Sequence, residues 1–512
     1  MRHTIFFGVL TLIAVTVCKG AVIHVPCDQP TIQAGIDAAF DGDTVLVSDG
    51  TYSGDGNRDI TYLGKAIAVM SENGPDACVI DCQGTESDYH RGFSFYSDEA
   101  ADSILSGFTI TNGFEDPGGA IFCDESSPLI QNCIIIGNRT CWRGGGICLW
   151  TSNSVITDCI ISGNTGYLDD PGASDDIYGG GVFTSGGSPT FVNCSIIGNT
   201  AEQWLYGTPL AIGGGIMTHA ATLISCLIAG NYANARCGGG ILTGGSILIN
   251  CTIVDNDGGE DSGGICGDAE TDLINCVIWN NLPDSVGGNP AITYSNVQDG
   301  YPGQGNINSD PLFAAGPLGD FYLSQVSSSQ DIDSPCLDSG SDLAGNICWN
   351  DRAECLNSYT TRTDHVPDSG TVDMGFHYAS SLSYPTTTPV PSPTPDPWTG
   401  VQVTLSGNRF TAGDNFKLEV SCLGNPGDPY AEMFVVLDVF GDFWFWPLWT
   451  PYLQGLLIEL QPDRPVTYTI LDFEWFDGDF GEVTGLKFWA AICRPRTYQV
   501  IGEIGWAEFG YY

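Results

Sequence analysis

Apolar and polar positions along this chain recur as short clusters at a fixed interval and show no helical period. Asn132-Cys133-Ile134-Ile135-Ile136-Gly137-Asn138 returns as Asp158-Cys159-Ile160-Ile161-Ser162-Gly163-Asn164 and as Asn193-Cys194-Ser195-Ile196-Ile197-Gly198-Asn199. Three further copies begin at Ser225-Cys226, Asn250-Cys251 and Asn275-Cys276, and end at Asn231, Asn256 and Asn281. The six cysteines are 26, 35, 32, 25 and 25 residues apart, and each has an Asn five positions on. A second cluster keeps the same beat: Gly118-Gly119-Ala120-Ile121, Gly144-Gly145-Gly146-Ile147, Gly179-Gly180-Gly181-Val182, and the copies at 213, 238 and 263.

A 25-residue period built from β-type runs is too short for a propeller blade and lacks a leucine-rich pattern. It predicts one coil of a parallel β-helix, with three short strands and three turns to each rung. Rungs stack at the spacing of paired strands, ~4.8 Å, so equivalent residues lie above one another. The Ile and Cys then fill the interior as columns. The recurring Asn forms an amide ladder inside a turn, each amide satisfying its neighbour. Glycine supplies the backbone that sharp corners need. Neighbouring cysteines of one column sit slightly too far apart and too parallel for unstrained disulfides, so they read as buried thiols acting as small hydrophobes. A column also diverges, whereas metal ligands must converge.

Composition agrees. Glycine supplies 67 of 512 residues, about 13% against a usual ~7%. The formal charge is −45, from 16 Lys and Arg against 61 Asp and Glu, and only four of the cations are lysines. Nucleic-acid partners are excluded on that ground. Hydrophobic residues make up 42%, too many for a disordered acidic chain. The start reads as an export signal over residues 1–20: a basic Met1-Arg2-His3, an apolar run from Ile5 to Val17, then Cys18-Lys19-Gly20. Its removal takes the charge to −47 and leaves 19 cysteines, an odd number, in a compartment that permits disulfides. No stretch is long enough for a transmembrane helix.

On these residues the chain resembles the right-handed parallel β-helix proteins of the pectin-lyase-like superfamily, in its secreted bacterial branch with repeats like those of polymorphic outer-membrane proteins. Pro30 to Phe40 places Ile32, Ile36, Ala39 and Phe40 on one helical face, and Asp41-Gly42-Asp43-Thr44-Val45-Leu46-Val47 follows. In the family this is a capping helix and the first coil. Asp310-Pro311-Leu312-Phe313, Ser334-Pro335-Cys336-Leu337-Asp338 and Val372-Asp373-Met374-Gly375 look like the family's closing motifs. The resemblance covers residues 22–378. The fold class it implies is all-β: a right-handed parallel β-helix over 21–378 with an N-terminal capping helix. Residues 379–398, with Pro385 to Pro395 at their heart, form an extended Pro/Thr/Ser linker. Residues 399–512 hold six of the 12 tryptophans in short alternating segments, which predict an antiparallel β-sandwich accessory domain. Its two cysteines, Cys422 and Cys493, form the expected disulfide between its sheets, and Cys336, Cys348 and Cys355 contain another.

The chemistry is less marked. The superfamily's hydrolase motifs are absent, as are Gly-x-Ser-x-Gly, Walker-type and His-Glu-x-x-His patterns, and the six histidines show no close pair. The coil holding Tyr167 to Asp176 is about ten residues longer than its neighbours. It lies at a turn where the resemblance places clefts. Asp169, Asp170, Asp175 and Asp176 are hard oxygen donors suited to Ca²⁺; a solvated acidic loop explains them too. Neighbouring turns supply Arg139, Trp142 and Trp204 for a carbohydrate groove, and Arg143 and Arg236 as bases if the protein is a lyase. Asp364-His365-Val366-Pro367-Asp368 with Asp373 and His377 reads as part of the closing segment before it reads as a metal site. The run Phe443 to Trp449 fits a sugar platform or a buried sheet equally. The sequons at Asn138, Asn193 and Asn250 fall on repeat positions and read as coil residues.

The sequence therefore points to a secreted or cell-surface β-helix. It is expected to be non-catalytic, to bind an extracellular glycan or cell-surface component, and to need no cofactor unless Ca²⁺. The alternative is a polysaccharide lyase or hydrolase of the pectate-lyase type. The heavy negative charge argues against an anionic polysaccharide unless Ca²⁺ bridges it.

Overall fold

Three parallel sheets run the length of the repeat. In the computed structural model, residues 20–380 are described apart from 169–176, 204–210, 235–237 and 350–353, together with the strands of residues 400–511. Sheet one has eleven strands, from Val22–Val25 through Leu129–Gln131 and Val155–Thr157 to Ala291–Thr293. Sheet two has ten, from Gly50–Ser53 through Ile134–Ile136 and Ile160–Ser162 to Asn296–Val297. Sheet three includes Ile121–Asp124, Ile147–Trp150 and Val182–Ser185; a second run, Arg139–Thr140, Thr165–Leu168 and Thr200–Gln203, joins it through the long strand Asp257–Gly267. Stacking keeps the cysteine repeats in register, with Ile135 beside Ile161 and Ile161 beside Ile196; the pairing of Asp257–Gly267 with Leu282–Gly288 in sheet three is interrupted by register shifts.

In the cysteine repeats the corner between sheets one and two takes only two residues. The residue before each repeat cysteine adopts a left-handed conformation: φ is 48° at Asn132, 53° at Asp158, 49° at Asn193 and 48° at Ser225. Asn and Asp tolerate this region better than other side chains, so the bend is written in the residue preceding Cys, a signal the glycine pattern alone does not carry. The cysteines that follow point inward. Cys133, Cys159, Cys194, Cys226, Cys251 and Cys276 are all buried, as free thiols in the column expected.

The next corner holds the asparagine ladder. Nδ2 of Asn138, Asn164, Asn199, Asn231 and Asn256 each donates to Oδ1 of the following Asn at 2.9–3.0 Å. The same Oδ1 accepts that residue's backbone N–H, and Nδ2 also donates to a strand carbonyl, such as Ile135 O for Asn164. Each buried amide is thereby satisfied. The glycine triplets pack against this ladder. At Gly144 the requirement is conformational, with φ of 66°; at Gly146 it is space, since a Cβ would lie 3.0 Å from Asn164 Nδ2 and 2.9 Å from Gly181 O. Asn138 and Asn250 are fully buried, which removes both sequons as glycan sites.

At the start, a helix over Ile32–Ala38 buries Ile32 and Ile36 in the solenoid core, with Gly35 against Val25 and Val45. Thr31 caps its N-terminus. Phe40, expected on the buried face, is 79% exposed: the helix ends at Ala38, and Ala39 is already extended. At the other end, Tyr301 packs against the core beyond the last coil, and Ile307 bridges to Asn296: Val297 N donates to Ile307 O and Ile307 N donates to Ser295 O.

The coils stop near residue 297, earlier than the predicted boundary of 378. The chain then turns back along the outside of the solenoid. Phe376 and Tyr378 cover the outer face of sheet two at Leu227, Ala229 and Val254, and Trp349, Leu356 and Val372 cover Val192 of sheet one. The segment is tied to the left-handed corners: Gly375 N donates to Asn275 O, Asn250 Nδ2 to Asp373 O, and His377 N to Ser225 Oγ. Cys348 and Cys355 form the disulfide expected in this region, and Cys336 is a buried thiol. Ala379 pairs with Tyr359 and Ser380 bonds to Ser358, so the folded segment runs two residues into the predicted linker. The rest of the predicted linker and the predicted export segment up to residue 19 lie outside the described residues.

The described strands beyond residue 400 form two sheets. One joins Gly400–Leu405, Asn415–Leu423 and Val466–Glu474. The other is built on Tyr430–Val439 and Val483–Cys493. Both are antiparallel apart from one short parallel pair at Arg409–Phe410. Cys422 lies in the first and Cys493 in the second. Phe443 to Phe445 belong to a strand, and Trp446 to Trp449 lie outside the described residues.

Candidate functional site

Two coils bring their chemistry together on the outer face of sheet three. Arg143 and Tyr178 each stand immediately before a glycine triplet, so stacking of the repeat makes them neighbours on adjacent rungs. Tyr178 N donates to Trp142 O, and Gly144 N to Tyr178 O, which fixes the turn. The same stacking lines up Phe122, Cys148 and Phe183 as an outward row on the sheet.

Arg143 sits inside this aromatic group. Its Cζ lies 4.0 Å from the Trp142 ring centre, 5.0 Å from Phe183, 5.3 Å from Tyr178 and 6.0 Å from Trp150. Trp150 stands edge-on to both Trp142 and Phe122, at 5.7 and 5.4 Å. Arg91 lies over the Phe122 ring at 5.1 Å and pairs with Glu115. Burial lowers the Arg91 pKa, and Glu115 opposes that shift.

The charge balance around these arginines differs. Arg58, Arg91, Arg139 and Arg362 each pair with a carboxylate. Among the described residues Arg143 forms no such pair, and its buried Nε has no hydrogen-bond partner. The indole N–H of Trp150, in the same cluster, is also buried without an acceptor. Two unmatched buried donors within one aromatic cluster are costly to the fold.

Of the residues predicted for a site, Trp142 and Arg143 meet here. Arg139 is drawn away, onto Phe114 (5.2 Å) and Glu86 (3.7 Å), where it lines a separate cleft of about 630 Å³. Trp204, Arg236, Asp169, Asp170, Asp175 and Asp176 lie outside the described residues. Sequence reasoning missed Trp150, Tyr178 and Phe183. Their signal was positional: each occupies a fixed offset from a glycine triplet.

The other candidate cluster has become packing. His377 is fully buried; its Nε2 is 2.9 Å from Asp368 Oδ2 and its Nδ1 is 3.0 Å from Gly375 O. Asp373 accepts from Asp338 N and Thr361 Oγ1, and burial, with Asp368 beside it, raises its pKa to about 6. These groups hold the closing segment onto the corners, away from the end of the solenoid. Among the described residues no group of three His, Cys, Asp or Glu side chains is placed to hold a metal ion.

Residues 57–222 and 91–260 match the family described as right handed beta helix region. The protein is a right-handed parallel β-helix protein. Comparison of this β-helix with curated proteins finds no match. Among solved structures, a mutant form of the PL6 family alginate lyase AlyGC aligns with 77% of this chain at 12% identity and a TM-score of 0.26. The chain spans 61% of that protein's length, and at this score the similarity bears on neither fold nor activity.

Proposed function

We propose that this is an exported, non-catalytic β-helix that binds carbohydrate through the Trp142–Arg143 face of sheet three. The observation that carries the reading is the unpaired Arg143 guanidinium set among aromatic rings. Aromatic faces stack on the apolar faces of sugar rings, while the guanidinium donates to ring or substituent oxygens. The helix at Ile32–Ala38 serves as the cap of the solenoid, and the two antiparallel sheets beyond residue 400 form a sandwich carried on the linker, closed by Cys422 and Cys493. Among the described residues no helix is long and apolar enough to cross a membrane.

The same unpaired guanidinium supports one rival, a polysaccharide lyase in which Arg143 removes the proton beside a uronate carboxylate. Against it, the Trp142 ring at 4.0 Å covers the guanidinium, and among the described residues no carboxylate or imidazole forms an ion pair with it. One experiment separates them. The protein is incubated with a panel of neutral and uronate polysaccharides, and both retention and unsaturated products are followed. Retention without products supports the binding role. Products that disappear in Arg143→Gln would make the protein a lyase.

A further inference from the structure

The cleft at Arg139 is not part of the Trp142–Arg143 face. It opens where residues 82–90 leave the coil between sheets two and three. That loop is rigidly built: Thr85 and Asp88 exchange backbone hydrogen bonds, His90 pairs with Phe114 through both backbone groups, and His90 Nδ1 lies 2.6 Å from Asp59. Gly84, Gly113 and Gly137 contribute bare backbone to its lining. At Gly113 a side chain is barred, because a Cβ would lie 1.9 Å from Gly119 O. The volume of about 630 Å³ falls in the range of small-molecule sites, roughly 300–1,000 Å³.

Its walls state the kind of ligand. Glu86 and Arg139 face each other at 3.7 Å and are both largely exposed, at 75% and 46% of the side chain. Together they offer planar donors and acceptors with no net charge, in a protein of net charge −45. Thr85 and Ser87 add hydroxyls. Phe114, buried in the wall, is stacked by Tyr89 at 5.4 Å with an interplanar angle of 23°. Tyr89 does not itself line the cleft, but it is 48% exposed and is held at the cleft's edge by its stacking on Phe114. An anion would meet Glu86 and a cation would meet Arg139, while an uncharged polyol satisfies both.

We infer that this cleft is a second saccharide subsite, for one or two neutral pyranose rings stacked on Tyr89 and bonded to Glu86 and Arg139. It rests on the carbohydrate-binding reading but uses different residues, so the two can fail separately.

The test measures binding of cellobiose, lactose and maltose to the full chain by saturation-transfer NMR and calorimetry. Wild type, Tyr89→Ala, Glu86→Gln and Trp142→Ala are compared, each checked for an unchanged circular dichroism spectrum. At least one disaccharide is expected to bind, with affinity falling about tenfold or more in Tyr89→Ala and Glu86→Gln and holding in Trp142→Ala. The subsite is refuted if none of the three binds, or if binding survives both cleft substitutions. Polysaccharide retention that persists in that case, and is lost in Trp142→Ala, leaves the primary reading standing; absence of both kinds of binding removes both.

Discussion

Asn164 and Asn199 share a single oxygen: Asn199 Oδ1 accepts both the backbone N–H and the side-chain Nδ2 of Asn164, each at 3.0 Å. Asn199 Nδ2 passes the pattern on to Asn231 and also donates to Ile161 O. All three asparagines are buried. Asn199→Ala therefore strands two donors on Asn164 and removes the side-chain donor to Ile161 O, while Asn231 Oδ1 keeps the backbone N–H of residue 199. We expect a loss of about 3–5 kcal/mol in urea unfolding, since each stranded buried group costs roughly 1–3 kcal/mol. A loss under about 1 kcal/mol would show that water replaces the ladder.

The cysteine column makes a redox prediction. Burial raises the thiol pKa values of Cys194, Cys226 and Cys251 well above the ordinary value. Thiolate is the reactive form, so at about pH 8 these cysteines stay unreactive toward a disulfide reagent in the native protein. Among the described free cysteines, Cys27 is exposed and reacts first. Peptide mapping that finds Cys226 labelled before unfolding would contradict the packed column.

Asp373 sets a pH dependence for the closing segment. Burial, and then Asp368, raise its folded-state pKa to about 6, above an unfolded value near 3.9. Between those values the folded protein binds more protons than the unfolded one. Stability attributable to this group is therefore full below about pH 4 and declines as pH rises through 6. Asp373→Asn is expected to flatten that decline and to stabilise the segment at pH 7 by an amount on the order of 1–2 kcal/mol, less any loss of the Asp338 and Thr361 contacts. Hydrogen exchange over residues 370–378, followed against pH, reads it directly.

Lys65 fastens the N-terminal helix to the second coil. Its Nζ donates to Ile36 O, Asp37 O and Ala39 O at 2.6, 3.0 and 2.8 Å, satisfying carbonyls that a helix end leaves open. Lys65→Met keeps the stem and removes the donors. We expect about 1–3 kcal/mol of destabilisation, with faster exchange confined to residues 22–47. Unchanged exchange there would mean that Ile32 and Ile36 alone hold the helix.

Much of the solenoid was legible because stacking repeats the same local requirement on every rung. Asn164, Cys159 and Gly144 recur in sequence for the reason that they recur in space. The left-handed corners were legible too, in the Asn, Asp or Ser before each cysteine, although attention to glycine hides them. Contacts between distant segments left no such trace. Nothing periodic announces that Gly375 bonds to Asn275, or that the closing segment lies along the flank. Phe40 was misplaced because Ala39, shortly before a sharp turn at Gly42, already leaves the helix. The aromatic surroundings of Arg143 combine residues 35 and 40 positions away with neighbours in the same coil, so only the register of the rungs reveals them.

The central claim is that the unpaired Arg143, with Trp142, receives a carbohydrate. The most direct measurement is calorimetric titration of wild type, Arg143→Gln and Trp142→Ala with the polysaccharide that the wild type retains most strongly. Saturable binding in the wild type that weakens at least about tenfold in both variants, with no change in unfolding temperature, is the predicted result. Equal affinity in all three proteins would contradict the account.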